Sequence, residues 1–157
     1  MSINPAGVPW LTDAEQQAWR AYRRMRTMLD LQLARDLARD SGLSEPDYDV
    51  LSTLTERDEP WRMSELAERL LWSTSRLAHH VKRMEARGLV RREPCSDDAR
   101  GAVLDLTPDG RAALEAAAPL HVARVRQHFI DLLTPGEISC LAGLGGKVLQ
   151  HLAEQGG

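Results

Sequence analysis

The sequence predicts a mainly α fold with a small β wing, in which a helix-turn-helix and a hairpin are flanked by long helices. Three observations predict it. Two short amphipathic segments, Met63 to Leu70 and Ser73 to Arg87, are separated by the pattern-breaking pair Leu71-Trp72. Two alternating stretches, Leu89 to Glu93 and Ala102 to Leu106, enclose the turn-forming run Pro94 to Gly101. Long apolar stripes with capping signals lie on either side.

Taken in order, Met1 to Leu11 carries two prolines and a glycine and reads as an extended arm. Thr12-Asp13-Ala14-Glu15 is a capping box that opens a helix to about Asp40, with Gly42 past its end. Its apolar positions Ala18, Tyr22, Met25, Leu29, Leu33 and Leu37 repeat for longer than one small core needs, as expected of a helix that packs on a partner chain. Ser44 to Arg57 reads as the next helix, with Pro46 in its first turn and Tyr48, Leu51 and Leu54 on one face. Trp61 is expected to start a short third strand beside the hairpin.

In the helix from Met63, Ser64 is the expected N-cap and Leu66, Ala67 and Leu70 turn inward. The following helix starts at Ser73 or Thr74, stacks Leu77, Val81 and Met84, and closes at Gly88. Turning 100° per residue from that stripe places Ser75, His79, Lys82 and Arg83 outward, with Arg76 and His80 on the flanks. Beyond the hairpin, Thr107-Pro108 caps a helix expected to reach about Leu133, bent at Pro119. Thr134-Pro135-Gly136-Glu137 repeats the capping box for a last helix, Ile138 to Leu152, whose Gly143, Gly145 and Gly146 suit close helix approach; a frayed or broken last helix is the alternative.

Charge narrows the chemistry. The chain carries a net charge of −3, which by itself argues against a polyanion binder. From Arg62 to Arg92, however, eight basic residues face three acidic ones, a local +5 on a remainder of −8. A second helix with short polar and cationic side chains, no carboxylate before Glu85 and a basic hairpin behind it suits duplex DNA: Ser73, Thr74, Ser75, Arg76, His79, His80, Lys82 and Arg83 for base edges and phosphates in a major groove, Arg91, Arg92 and Arg100 for phosphates or a minor groove. Asp98 is expected to pair with Arg100 and stiffen the hairpin loop.

The run R-M-E-A-R-G-L-V-R-R after the helix-turn-helix, followed by D-D-A-R-G and D-L-T-P-D-G, resembles the winged helix-turn-helix of the MarR family (multiple antibiotic resistance regulators). The resemblance covers the middle third specifically; the flanks agree in layout. It implies a homodimeric transcription regulator, and for many members a repressor released from DNA by a small phenolic or other aromatic ligand, for some by oxidation of a cysteine. Many members carry Arg in the middle of the recognition helix where this chain has His79, so the operator sequence does not carry over. The characteristic cysteine of the family's peroxide sensors lies near the N-terminus, where this chain has none.

Other chemistries find less support. There is no glycine-rich phosphate loop, no H-E-x-x-H and no nucleophile elbow, so no enzyme and no cofactor are expected. His79 and His80 with His121 or His128 lack a carboxylate or cysteine at ligand spacing, so no metal is expected. Cys95 and Cys140 lack CxxC spacing; Cys95, at the wing base beside Arg92, is a candidate thiol sensor. No apolar run reaches a membrane span and Met1 to Trp10 lacks the pattern of a signal peptide, so a cytoplasmic protein is expected. Trp10, Trp19, Tyr22, Tyr48 and Trp61 are candidates to line a ligand pocket where the long helices meet the wing domain, or serve as ordinary core aromatics.

The sequence therefore reads as one domain over 1–157, with dimerisation helices at 12–40 and 108–153 and a winged helix-turn-helix at 44–107. The expected partners are a pseudo-palindromic double-stranded operator, a second copy of the chain and a small aromatic ligand. Two alternatives stand beside it: a ligand-binding or dimerisation module without specific DNA binding, and a low-specificity architectural DNA-binding protein.

Overall fold

The computed structural model describes residue 3 and residues 5–95 and 101–155. The elements among them follow the order α1 (Asp13–Ser41), α2 (Glu45–Leu54), β1 (Trp61–Arg62), α3 (Met63–Leu70), α4 (Thr74–Ala86), β2 (Val90–Pro94), β3 (Ala102–Leu106), α5 (Pro108–His128), a 3-10 turn (Ile130–Leu132) and α6 (Pro135–Gln155).

Most helix starts are fixed by local capping, which explains why they were legible. Thr12 and Glu15 exchange the two bonds of a capping box, and α1 ends on Gly42 at φ 71°, whose N–H reaches the Ala38 carbonyl. Ser44 and Asp47 do the same for α2. Ser73 Oγ accepts from Arg76 N at the start of α4, Thr107 Oγ1 from Gly110 N at the start of α5, and Thr134 and Glu137 close a box before α6.

Several boundaries differ from expectation. Helix α3 starts without Ser64 as its cap: Arg62 is the N-cap residue and makes no side-chain capping bond, because strand pairing of Arg62 with Val103 already fixes the entry. Helix α2 stops at Leu54 rather than Arg57, since Thr55 turns back to the Ser52 carbonyl and Arg57 instead stacks over Trp61 at 4.0 Å and bonds Glu65. Helix α5 runs through Pro119 and stops at His128, not Leu133; Phe129 leaves helical geometry and the 3-10 turn follows. Helix α6 is continuous over Pro135–Gln155, so it is neither frayed nor broken in its interior.

The three strands form an antiparallel sheet in the order β1-β3-β2, with Trp61 opposite Leu104 and Val90 opposite Leu106. Leu104 closes the core from the sheet, against Val50, Leu51, Leu66, Leu77, Val81, Met84 and Ala117, all fully buried. Leu77, Val81 and Met84 are the inward stripe that periodicity assigned to α4. Outside this core the helices are thinly covered: α1 packs along α5, yet of its long apolar stripe only Leu37 is buried, and Tyr22 and Met25 lie exposed. Every residue of α6 is exposed.

Candidate nucleic-acid interface

The turn between α3 and α4 sets the angle of the second helix. Leu71 takes a left-handed conformation, φ 56°, which costs a branched side chain about 1 kcal/mol, and the amides of Leu71 and Trp72 cap the last carbonyls of α3. Helix α4 then presents Thr74, Ser75, Arg76, His79, Lys82 and Arg83 to solvent, with Ser73 exposed at its cap. No carboxylate lies on this face, and the open amides of the first turn add partial positive charge.

The cations differ in what holds them. Arg76 lies over the Trp72 ring at 4.1 Å, a contact that orients the guanidinium without neutralising it. Arg83 Nη2 sits 2.9 Å from His80 Nδ1. Arg91 is tied to Glu93 at 2.8 Å and to Asp105 at 3.1 Å, while Arg69 pairs with Glu56 and Arg87 with Asp47. Part of the local +5 is thus spent inside the domain, leaving Arg76, Lys82 and Arg83 on α4 and the exposed Arg92 on the wing as the outward charges.

His80 is the clearest departure from the sequence reading. It was expected on the flank of the exposed face and is buried, 7% exposed, with Nε2 3.0 Å from Asp47 Oδ1 and its ring edge-on to Trp72 at 5.7 Å. The reason is geometric: Leu77, His80, Val81 and Met84 follow i, i+3, i+4, i+7, so His80 belongs to the core stripe, and only its polar character disguised that. Burial pushes the imidazole below the usual histidine range, against the pull of Asp47 and with the help of Arg83. Burial alone would push the Asp47 carboxyl up, but hydrogen bonds from Arg87 and Ser44 outweigh it and hold the carboxyl below its ordinary value.

The wing is the hairpin of β2 and β3, closed by Cys95 N donating to the Gly101 carbonyl at 2.9 Å. Asp98 and Arg100, expected to stiffen its loop, lie outside the described residues. At its base Thr107 Oγ1 lies 2.6 Å from the Gly88 carbonyl and 3.0 Å from that of Leu89, which fastens the first turn of α5 to the end of α4. Cys95 is half-buried, on the wall of a cleft of about 520 Å³ that Arg57, Arg62, Glu65 and Glu93 also line.

The structure does not gather the candidate ligand-binding aromatics into one pocket. Trp19 and Tyr22 stack on each other at 5.9 Å on the exposed side of α1, Tyr48 lies against His121 at 4.7 Å, and Trp61 is buried under Arg57. Trp19 shares a shallow hollow of about 260 Å³ with Trp10, Leu11, Gln16 and Arg20. The histidines also serve separate tasks, His128 bonding Asp36 at 2.8 Å and His79 facing solvent.

A helix-turn-helix followed at once by a hairpin wing, between long helices that leave apolar faces open, defines a winged helix-turn-helix regulator. A model of the MarR family matches residues 41–101. The regulator PecS of Dickeya dadantii is 32% identical over 115 residues, covering 70% of this chain and 67% of PecS. The regulator HosA of Escherichia coli O127:H6 is 31% identical over 130 residues, 83% of this chain and 95% of HosA. Among solved structures, AbsC, a MarR family transcriptional regulator from Streptomyces coelicolor, superposes with a TM-score of 0.88 at 42% identity, over 94% of this chain and 99% of AbsC. Sco3205, a MarR family regulator from the same organism solved in complex with DNA, gives 0.86 at 41%, over 91% and 94%. The chain belongs to the MarR family, which consists of transcription regulators and not enzymes.

Proposed function

We propose that the protein is a homodimeric, sequence-specific DNA-binding repressor that inserts α4 into the major groove, with Ser73, Thr74, Ser75, Arg76, His79, Lys82 and Arg83 against bases and phosphates. On the wing, Arg92 is the cation toward the flanking backbone, whereas Arg91 is held by Glu93 and Asp105 and would have to leave them to reach a phosphate. The observation that carries this reading is the carboxylate-free outer face of α4, where Arg76, Lys82 and Arg83 stand exposed on an otherwise acidic chain. The DNA complex of Sco3205, 41% identical, supports it.

Residues 44–107 form the reading head, and 12–40 with 108–153 the dimerisation helices. Support for a second copy comes from α6, whose Leu144, Val148, Leu149 and Leu152 are each more than half exposed, an apolar face that nothing among the described residues covers. A two-fold then sets two α4 helices about one helical turn of DNA apart on a pseudo-palindrome. Release by a small aromatic ligand is the further part of this reading, supported by the exposed Trp19 and Tyr22 with Arg23 and Arg26 beside their rings. The setting is the cytoplasm, consistent with the fact that no helix among the described residues is long and apolar enough to cross a membrane.

The test is a titration of Arg76→Ala and Arg83→Ala against a duplex from the region upstream of the protein's own coding sequence, with competitor DNA. Each variant is expected to lose roughly tenfold to a hundredfold in affinity while keeping its fold, the range of a charge-assisted base or phosphate contact. Wild-type affinity in both variants refutes the assignment of α4, and binding that competitor DNA removes equally well favours an architectural protein.

A further inference from the structure

The outward face of α4 is connected to the interior through one side chain. Asp47, 2% exposed at the start of α2, accepts from Ser44 N at 2.9 Å and from Arg87 Nη1 at 2.7 Å with Oδ2, and meets His80 Nε2 at 3.0 Å with Oδ1. The other ring nitrogen of His80, Nδ1, meets Arg83 Nη2 at 2.9 Å. A guanidinium has donors only, so Nδ1 must carry a lone pair and Nε2 the proton. One protonation state satisfies both neighbours: the neutral imidazole that donates inward to Asp47 and accepts outward from Arg83.

We propose that His80 is a positioning residue for DNA recognition, which holds the Arg83 guanidinium in its reading orientation by tethering it through Asp47 to the fixed N-terminus of α2. This rests on the assignment of Arg83 to the DNA-facing surface made above. Arginine is rich in rotamers, and ordering one at an interface costs affinity; a side chain already held by an acceptor on its own helix loses less on binding. The tether also makes the orientation sensitive to acid. A proton on Nδ1 turns the acceptor into a donor aimed at a cation, and Arg83 must leave. The charged groups facing the ring are Asp47 from α2, and Arg83 and Arg87 from α4 and its cap; Trp72, from the preceding turn, meets it edge-on and is uncharged. The exposed His79 on the same face is present in every variant and cancels from their affinity ratios.

The experiment measures the dissociation constant for the upstream duplex with wild type, H80F, H80Q, R83A and the double variant H80F/R83A, at pH 7.5, 6 and 5, with thermal unfolding of each. Glutamine carries one donor and one acceptor in the same side chain, whereas phenylalanine carries neither. H80F is expected to lose roughly threefold to tenfold in affinity, H80Q to recover most of it, and H80F to cost nothing further once Arg83 is alanine. Below the usual histidine range, toward pH 5, the ratio of wild-type to H80Q affinity is expected to fall, because glutamine has no proton to gain in place of the imidazole. Additive effects of H80F and R83A, or an H80Q no better than H80F at equal stability, overturn the positioning role while leaving Arg83 as a contact. R83A with wild-type affinity overturns the contact and the positioning together. If H80F does not fold, H80L takes its place in the cycle with R83A, and additive effects there refute the tether.

Discussion

Gly110 offers a test in which two physical effects predict opposite signs. It is the third residue of α5, where alanine is ordinarily the better helix former by about 0.5–1 kcal/mol. The structure places a Cβ at this position 1.9 Å from the Leu89 carbonyl oxygen, 2.9 Å from its carbon and 3.2 Å from Leu106 Cδ1. Real Cβ atoms essentially never approach closer than 3.0 Å, so the helix start and the strand entrance must separate by at least about 1.1 Å. That carbonyl is also where α5 is fastened, accepting from Thr107 N at 3.3 Å and lying 3.0 Å from Thr107 Oγ1. Overpacking of a close-packed contact costs about 1–3 kcal/mol and a weakened hydrogen bond about 1 kcal/mol. Set against the helix-propensity gain, Gly110→Ala should destabilise the protein by about 2 kcal/mol, a melting temperature lower by about 4–8 °C for a chain of this size. Wild type and variant must be compared at one protomer concentration, because the self-association proposed above would shift the midpoint. Since the same contact aligns the wing with the long helices, operator affinity should fall as well. A melting temperature equal to wild type or higher would refute the close approach of α5 to the wing.

Two further outcomes follow from the same geometry. Asp36 is held at a pKa of about 2 chiefly by Gln32, with His128 and Arg39 adding to it against the effect of burial; its folded value lies below its ordinary one, so its contribution is present above about pH 4 and lost as pH falls toward 2. Asp36→Asn should therefore lower stability at neutral pH and flatten the acid limb of a melting-temperature profile between pH 4 and 2, and an unchanged limb contradicts the buried bond between α1 and α5. Deleting 134–157 removes α6 and should give monomer or aggregate in sedimentation velocity, with loss of specific operator binding; a well-behaved truncated dimer that still binds would place the interface elsewhere.

Much of this architecture was written locally. The capping residues Thr12, Ser44, Ser73, Thr107 and Thr134 each bond a backbone amide three residues on, and a bond of that span depends on neighbours in sequence alone. The two strands of the hairpin were legible from their own alternation, whereas their register, with Ala102 opposite Pro94, is a property of the pairing. Ser64 failed as a cap because its competitor was not local: the pairing of Arg62 with Val103 lies 41 positions away and ends the strand at that point.

The sequence by itself determined the family, the order of the elements and the charged face of α4, because periodicity, caps and a short run of motif residues are all properties of contiguous chain. Tertiary structure alone decided which partners a buried polar side chain meets and which glycine cannot be replaced. His80 meets Asp47 across 33 positions, and Gly110 faces a carbonyl on the strand entrance at Leu89. Neither contact leaves a trace in the hydrophobic pattern. A buried imidazole is tolerable only where both ring nitrogens find partners, and those partners come from elements that only the folded chain brings together.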